Sequence, residues 1–455
     1  MTLSGIRQLC LTLVWIFPAV HASLAWSQQA GDTSRPKAVP ATRDEMKGAL
    51  DRLKSRQPRL PLPPPTPEEE EQAKQNTAAR GLGGGLVNNA RMRNRYLPEE
   101  LRGAGFSRDP DPVMQLKAPF ITELFWIASR VNNCHYCLGH QETKLAADGL
   151  TEDQVAALDG DWSDQSPARQ AAFAFTRKLT YEPHRITDSD VATLAQHYPG
   201  LQPVEIVYLV ARYNATNRWT DSLGIPQEGH RDYLTPTAAA IQKRPSGVAP
   251  LPAAKVSAVA VDAPRPALEP RGEVERLLSE ARTRQPRFPL LSEAEARQMK
   301  SDLPAGPLPA YIRLLAHFPK TGVGAIQSQL NLEQFGKVSP LLKARIAWVA
   351  ARHDHAWYAL DHARAQLRAL KQTDDQIFAL DTLGEDLSEG DKLALQLTRK
   401  LTVTPQWITD DDIAGLRKVF PDAEVAEIVY RITQAAQFNR LTEAAGLPCD
   451  SPLPG

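Results

Sequence analysis

The chain has 455 residues, which is long enough for two or three domains that each bury a sizeable core. Its 53 Lys and Arg residues balance 53 Asp and Glu residues, so no net charge would draw the protein onto nucleic acid or an anionic membrane. Beyond the N-terminus no apolar run is long enough to span a bilayer, and the composition is typical of a soluble globular protein.

The N-terminus has the pattern of a signal peptide. Arg7 precedes an apolar stretch, Leu9–Val20, which is followed by the small residues of His21–Ala25. A buried N-terminal helix is the alternative, and Pro18 within the stretch argues against it. We therefore predict that residues 1–27 are removed and that the mature protein is secreted or periplasmic, where disulfides persist.

The rest of the chain contains one sequence pattern twice. Trp126–Arg130 recurs as Trp348–Arg352, and Thr176–Thr180 recurs unchanged as Thr398–Thr402. Both matches, and several later ones, are separated by 222 positions. Chance similarity would not hold one register over about a hundred residues, so the pattern indicates a duplicated domain.

The repeat sets the predicted domain boundaries. The segment RQPR, at residues 56–59 and 284–287, extends the match upstream at a separation of 228. Between the copies lies a stretch that is rich in Pro and Ala and suits a semi-extended linker. We predict a signal peptide over residues 1–27, a flexible segment over 28–45, a first domain over 46–234, a linker over 235–270 and a second domain over 271–455.

Local signals in both copies predict helices. Phe120, Leu124, Ile127 and Val131 form an apolar stripe at helical spacing. No segment alternates as a strand would, so we predict an all-α fold. Caps and breakers set several boundaries: Ser166 before Pro167, Ser388 at the same place in the second copy, a capping box of Thr187 with Asp190, and a long helix from Val204 to Leu223 that ends at Gly224.

The first copy carries a dithiol, Cys134 and Cys137. Their spacing places both sulfurs on one face of a helix and within disulfide reach. The second thiol falls in the first turn, where the helix dipole can lower the pKa of a cysteine below its free value of about 8.5. The remaining cysteine of the mature chain, Cys449, lies in a C-terminal segment where a free or intermolecular thiol is expected.

Other interpretations of the dithiol are less favoured. A structural disulfide over so short a loop would contribute only about 2 kcal/mol. A zinc site needs four ligands, and no second CxxC is present even if His135 and His140 are counted. Covalent haem requires His directly after the second cysteine, where Leu138 stands. We therefore expect neither a metal nor a bound cofactor.

These residues resemble a known family. Glu123, the segment Asn132–His140, Asn217–Trp219 and Gly224–Pro226 are similar to the carboxymuconolactone decarboxylase and alkyl hydroperoxidase D (AhpD-like) superfamily. The resemblance covers most of residues 95–230 and, more weakly, 315–450. It implies an all-helical fold, usually oligomeric, and a thiol peroxidase activity in the AhpD-like branch. The decarboxylase branch does not depend on a dithiol, so its activity is less favoured.

The resemblance implies a role for each site residue. Cys137 would be the peroxidatic thiol, and Cys134 the resolving partner that forms the internal disulfide. Glu123 and His140 would form a proton relay that deprotonates the thiol and protonates the leaving oxygen. Both relay residues stand one position nearer the cysteines than is usual in the family.

The second copy lacks this site. The matching positions are Arg345 for Glu123, Ala356 for Cys134, Ala359 for Cys137, His362 for His140 and Tyr358 for Tyr136. Without sulfurs this copy cannot carry out dithiol chemistry. Retention of the His and Tyr positions indicates that they also serve packing.

We therefore expect an exported peroxidase that reduces small hydroperoxides through the first copy, using an external thiol or lipoyl-type reductant. We expect no nucleic-acid partner and no membrane association after signal cleavage. The protein could form a homo-oligomer. Two alternatives remain. One is general thiol-disulfide exchange, and the other is a non-catalytic binding or assembly module in which the pair is a structural disulfide.

Overall fold

The computed structural model describes residues 36–71, 89–102, 111–227 and 265–451. The predicted signal peptide and residues 235–264 of the predicted linker lie outside these ranges. Within them the regular structure consists of α-helices and short 3₁₀-helices, without a strand. The predicted all-α class is therefore confirmed.

The helices form two successive series along the chain, one for each copy of the repeat. The first series consists of α1 (Arg43–Arg52), α2 (Asn89–Tyr96), α3 (Ala118–Val131), α4 (His135–Ala147), α5 (Glu152–Ala157), α6 (Pro167–Tyr181), α7 (Asp188–His197) and α8 (Gln202–Ser222). The second consists of α9 (Arg271–Arg282), α10 (Glu293–Met299), α11 (Ala310–Leu315), α12 (Thr321–Gln334), α13 (Pro340–Asp354), α14 (Trp357–Ala369), α15 (Asp374–Ala379), α16 (Glu389–Val403), α17 (Asp410–Arg417) and α18 (Asp422–Ala444). The described residues also include four 3₁₀-helices: Leu53–Ser55, Glu99–Leu101, Pro183–Arg185 and Pro405–Trp407.

Local capping chemistry sets the helix ends. Ser166 accepts the Arg169 N–H in the first turn of α6, and Ser388 accepts the Asp391 N–H in the first turn of α16. Thr187 and Asp190 form the predicted capping box of α7. The long helix α8 is followed by Gly224 with φ of +64°, which a residue with a side chain adopts only at a cost. These predicted boundaries are confirmed to within two residues.

The duplication seen in the sequence is also present in the structure. Two pairs of helices illustrate it: α14 begins and ends 222 positions after α4, and α16 begins and ends 222 positions after α6. Side-chain contacts repeat as well. The buried ion pair between Arg130 and Asp159 recurs as the pair between Arg352 and Asp381.

The described residues form one compact unit rather than two, so the predicted separation into two domains is not confirmed. The longest helices of the two copies, α8 and α18, pack against each other, and the Trp219 and Tyr430 rings meet edge to face at 5.8 Å. Trp219 is fully buried there. The copies thus share a single apolar core.

Two buried arginines cross between the copies in a reciprocal way. Arg218 Nε of α8 donates to the Leu401 carbonyl at 2.8 Å, and Arg440 Nε of α18 donates to the Thr180 carbonyl at 3.1 Å. Leu401 and Thr180 lie at the C-terminal ends of α16 and α6, where carbonyls have no partner within their own helix. Each copy therefore satisfies backbone groups of the other.

The two arginines differ in their counter-ions. Arg440 Nη1 lies 3.1 Å from the buried Asp354 carboxylate, which Arg265 also contacts at 3.1 Å. Burial alone would raise the pKa of Asp354, but these cations hold it at about 2. The residue equivalent to Asp354 in the first copy is Asn132, a neutral acceptor 3.4 Å from Arg218 Nη1. Burial and the nearby Arg440 lower the pKa of Arg218 well below its ordinary value.

This difference predicts unequal stability losses. We expect Arg440→Met to lower the free energy of unfolding by about 3–5 kcal/mol, because it removes one of two cations that pair with buried Asp354. Arg218→Met removes the same kind of backbone contacts, but its nearest side-chain acceptor is the neutral Asn132 and not a carboxylate. We therefore expect the free energy of unfolding to fall by only about 1–3 kcal/mol. Urea unfolding of both variants measures this, and equal losses would contradict the assignment.

Candidate active site at the cysteine pair

The cysteine pair lies where two helices of the first copy meet. The helix α3 ends at Val131, and Asn133 turns the chain with a φ of +50°, a conformation that asparagine tolerates better than most residues. Cys134 is then the N-cap of α4, and its sulfur accepts the Cys137 N–H at 3.4 Å. The predicted position of the pair at a helix start is therefore confirmed.

One hydroxyl joins the two sulfurs. The Thr220 Oγ1 atom, from α8, lies 3.3 Å from Cys134 Sγ and 3.2 Å from Cys137 Sγ. This hydroxyl also lies 3.0 Å from the Thr216 carbonyl, to which it can donate. Both cysteines are free thiols and almost wholly buried. The arrangement holds the two sulfurs beside a shared polar group.

Burial reverses the predicted pKa shift of Cys137. Removal from water raises the pKa of this thiol well above its ordinary value, and the neighbouring Cys134 raises it further. The contact with Thr220 lowers it but does not compensate. The sequence-based expectation of a lowered pKa is therefore wrong, because a favourable helix end does not outweigh the loss of solvent around a buried thiolate.

Only one of the two thiols faces an open space. A cavity of about 850 Å³ lies between the copies, and its wall includes Cys137 but not Cys134. Both copies contribute to this wall: Tyr136, Cys137, His140 and Gln141 from α4, and Tyr311, Leu315, Tyr430 and Phe438 from the second copy. A small molecule in the cavity would reach Cys137 first.

His140 shares the cavity with Cys137. It lies three residues after Cys137, which places both side chains on the same face of α4. Its ring stacks on Tyr136, with ring centroids 5.4 Å apart. Gln141, at the position where the resembled family more often has His, also lines the cavity. His140 is therefore close enough to the thiol to be considered as a proton carrier.

Glu123 lies elsewhere. Its carboxylate pairs with the Arg169 guanidinium, with Oε2 2.7 Å from Nη2, and Glu123 is not among the described residues that line the cavity. Burial raises the pKa of Glu123, although Arg169 opposes this shift. The second copy has the same pair with its charges exchanged, as Arg345 with Asp391 at 2.6 Å. The structure thus brings together Cys134, Cys137 and His140 but not Glu123.

The third cysteine is a packed core residue. Cys449 is buried, and its sulfur lies 3.6 Å from the Trp357 carbonyl. It matches Gln227 of the first copy, whose amide donates to the carbonyls of His135 and Tyr136 at the start of α4. Burial raises the pKa of the Cys449 thiol above its ordinary value. These contacts make Cys449 a structural counterpart of Gln227.

Sequence reasoning missed two residues of the site, Thr220 and Thr216. The duplication could have indicated both. Thr220 is retained as Thr442 in the copy without sulfurs, where its hydroxyl donates to the Phe438 carbonyl at 2.8 Å. Thr216 is replaced by Phe438, whose ring lies 5.7 Å from His362. Thr216 in the first copy is smaller than Phe438 in the second, and this difference indicates that the first copy leaves more space in the cavity near its thiols.

The described residues offer no other centre of this kind. Within them, no three side chains of His, Cys, Asp or Glu converge so as to hold a metal ion. None of their helices combines the length and apolarity that crossing a membrane requires.

Comparison with known proteins does not assign the chain to a family. No model of a known family matches it. No curated protein matches it either. The resemblance to AhpD-like proteins therefore depends on the residues of the site itself.

The shared hydroxyl predicts how the thiol titrates. We expect Thr220→Val to raise the pKa of Cys137 further, because the Thr220 contact is the one that lowers it. Alkylation by iodoacetamide, which requires the thiolate, rises with pH in both proteins and should be about three- to tenfold slower in the variant at pH 8.5. Mass spectrometry of the Cys137 peptide measures the rate. Thr442→Val, the same change in the copy without sulfurs, should leave it unaltered; equal slowing by both variants would contradict a direct contact.

Proposed function

We propose that the protein is a thiol-dependent peroxidase of the AhpD-like type, active in its first copy. The observation that carries this proposal is the placement of the two thiols. Cys137 lines a cavity together with His140, while Cys134 lies behind it and contacts the same Thr220 hydroxyl. One thiol is thus open to a small substrate, and the other is within reach of the first.

The proposed reaction has two chemical steps. The Cys137 thiolate attacks one oxygen of a hydroperoxide, the O–O bond breaks, and the products are a sulfenic acid on Cys137 and an alcohol. The Cys134 thiol then attacks the sulfenic sulfur, releasing water and forming the disulfide. An external dithiol reduces this disulfide. In total one hydroperoxide and two thiols give one alcohol, one water and one disulfide.

His140 is the proposed proton carrier. The raised pKa of Cys137 means that the thiol is protonated near neutral pH, so a base must remove its proton before attack. His140 faces the same cavity and can then return that proton to the departing alkoxide. In the second copy, the equivalent residue His362 contacts the Glu333 carboxylate at 3.0 Å instead.

For Glu123 we propose a structural role in place of the predicted relay. Its carboxylate is engaged by Arg169, and the exchanged pair of the second copy supports a need for opposite charges rather than for a carboxylate at this position.

The second copy is proposed to act as a built-in partner. It has Ala356 and Ala359 in place of the cysteines and Phe438 in place of Thr216, so it supplies no thiol. It does supply part of the cavity wall, through Tyr311 and Phe438 among others. Export of the protein, proposed from residues 1–27, would place it where oxidants are encountered outside the cytoplasm.

A small substrate suits this site better than a disulfide in another protein. Cys137 is about 1% exposed and faces a cavity rather than the outer surface. A folded protein could not bring its disulfide to this sulfur without opening the contact between the copies.

Cysteine variants test the proposed roles. With cumene hydroperoxide as substrate and dithiothreitol as reductant, we expect Cys137→Ser to fall to the uncatalysed rate, because no thiolate attacks. Cys134→Ser, treated with one equivalent of the hydroperoxide in the absence of reductant, should stop at a sulfenic acid that dimedone traps, because no second thiol closes the disulfide. Cys449→Ser should keep its rate within about twofold. Peroxide consumption is measured in each case, and a Cys137→Ser variant that remains active would overturn the proposal.

A charge exchange tests the role of Glu123. The double variant Glu123→Arg with Arg169→Asp reproduces the pair that the second copy has at Arg345 and Asp391. We expect it to regain most of the stability that either single variant loses, typically about 0.5–3 kcal/mol of coupling. Thermal unfolding and the peroxidase rate are measured together. If Glu123 carried the proton, the double variant would be stable but inactive, and that result would restore the relay.

A further inference from the structure

The cavity beside Cys137 carries positive charges that the proposed peroxide chemistry does not use. The cationic side chains in its wall are Arg93, Arg102, Lys144, Arg212 and Lys320. Among the described residues that line this cavity, none is Asp or Glu. In a protein whose total charges balance, such a wall is one-sided.

Arg93 is the most informative of these cations. Its guanidinium donates to the Asn89 side-chain oxygen at 3.2 Å and to the Arg102 carbonyl at 3.3 Å. It also lies over the rings of Trp219 and Tyr430, at 5.5 and 5.3 Å from their centres. All of these partners are neutral. Arg93 is partly buried, and a guanidinium whose partners among the described residues are neutral can still donate to an anion.

A second cation reinforces the first. Arg212 lies close enough to Arg93 for its charge to lower the pKa of that guanidinium, in addition to the effect of burial. Two guanidinium groups that line one space both favour an anion in that space.

Two tyrosines complete the same corner of the cavity. Tyr208 and Tyr430 occupy equivalent positions in the two copies, and both line the cavity. Arg212 interacts with the Tyr208 phenol, and Arg93 interacts with the Tyr430 phenol. Two guanidinium groups and two phenol hydroxyls are suitable donors for a carboxylate, which accepts several hydrogen bonds at once.

The distance from this corner to the thiols follows from α8. Arg212 and Thr220 are eight residues apart on one helix, which corresponds to about 12 Å. Thr220 contacts Cys137 Sγ, so the anion corner and the thiol lie at two ends of one space. The lining of the same cavity also includes the small or apolar residues Ala215, Leu315 and Leu441.

We propose that this cavity binds an anionic amphiphile, with a carboxylate at Arg93 and Arg212 and an apolar chain that extends toward Cys137. The guanidinium fork matches the carboxylate geometrically, and the small or apolar residues of the lining suit hydrocarbon. In combination with the proposed function, the substrate class becomes a hydroperoxide of a fatty acid. The binding site itself does not depend on that function.

The direct test is calorimetric titration with decanoate and with its neutral amide, decanamide. For the wild-type protein we expect decanoate to bind at least about tenfold more tightly, because only the acid pairs with the two arginines. The double variant Arg93→Gln with Arg212→Gln should lose this preference, and Lys418→Gln, a change at an exposed lysine, should keep it. Equal affinities of the wild-type protein for acid and amide, or a preference that survives in the double variant, would overturn the proposal.

The single variant Arg212→Gln provides a test in case the double variant does not fold. It introduces the residue that the second copy has at the equivalent position, Gln434, and should reduce the preference for decanoate by itself. Arg212→Gln that folds and retains the full preference would count against the site.

A second measurement separates this site from the proposed function. The wild-type rate with linoleic acid hydroperoxide is compared with the rate for its methyl ester, which has the same chain and hydroperoxide group but no negative charge. A faster reaction of the acid that disappears in the double variant supports both proposals. If decanoate binds as expected and no hydroperoxide is consumed, the anion site stands and the peroxidase function fails.

Discussion

The contact on which this structure depends is the exchange of buried arginines between the two copies. Arg218 and Arg440 each donate to helix-end carbonyls of the other copy, and Asp354 provides the carboxylate that balances Arg440. Separation of the copies would break these hydrogen bonds and the buried ion pair, and it would expose the apolar core that the copies share. These contacts therefore hold the two copies together as one compact unit.

The site follows from that constraint. Because the copies are held face to face, their contact encloses a cavity with walls from both, and a change in one copy alters the surroundings of the other. The first copy has sulfur and the small Thr216 at its end of the space, whereas the second has alanine and Phe438. Loss of the cysteines in one copy without loss of its helices means that the fold does not require the sulfurs. This asymmetry favours a functional role for the remaining pair.

Local features could be predicted from the sequence, and long-range ones could not. Caps such as Ser166 act on groups within four residues, and the 222-residue register places equivalent helices by itself. Thr220 is 83 residues from Cys137, and Arg169 is 46 from Glu123, so no local pattern indicates either contact. The predicted direction of the Cys137 pKa shift was wrong for a related reason. The helix that buries this thiol is distant in sequence, so the residues around Cys137 do not indicate the burial. The pairing of Arg345 with Asp391 shows that comparing the copies position by position could have revealed the role of Glu123.

We propose that Cys134 and Cys137 form a redox couple that peroxide oxidises. One equivalent of cumene hydroperoxide added to the fully reduced protein, followed by alkylation and peptide mass mapping, tests this most directly. We expect the peptide that contains both residues to lose two hydrogen atoms and to carry no alkyl group, with Cys449 unoxidised. An unchanged Cys134 and Cys137 peptide would contradict it, as would oxygen retained on Cys449 alone.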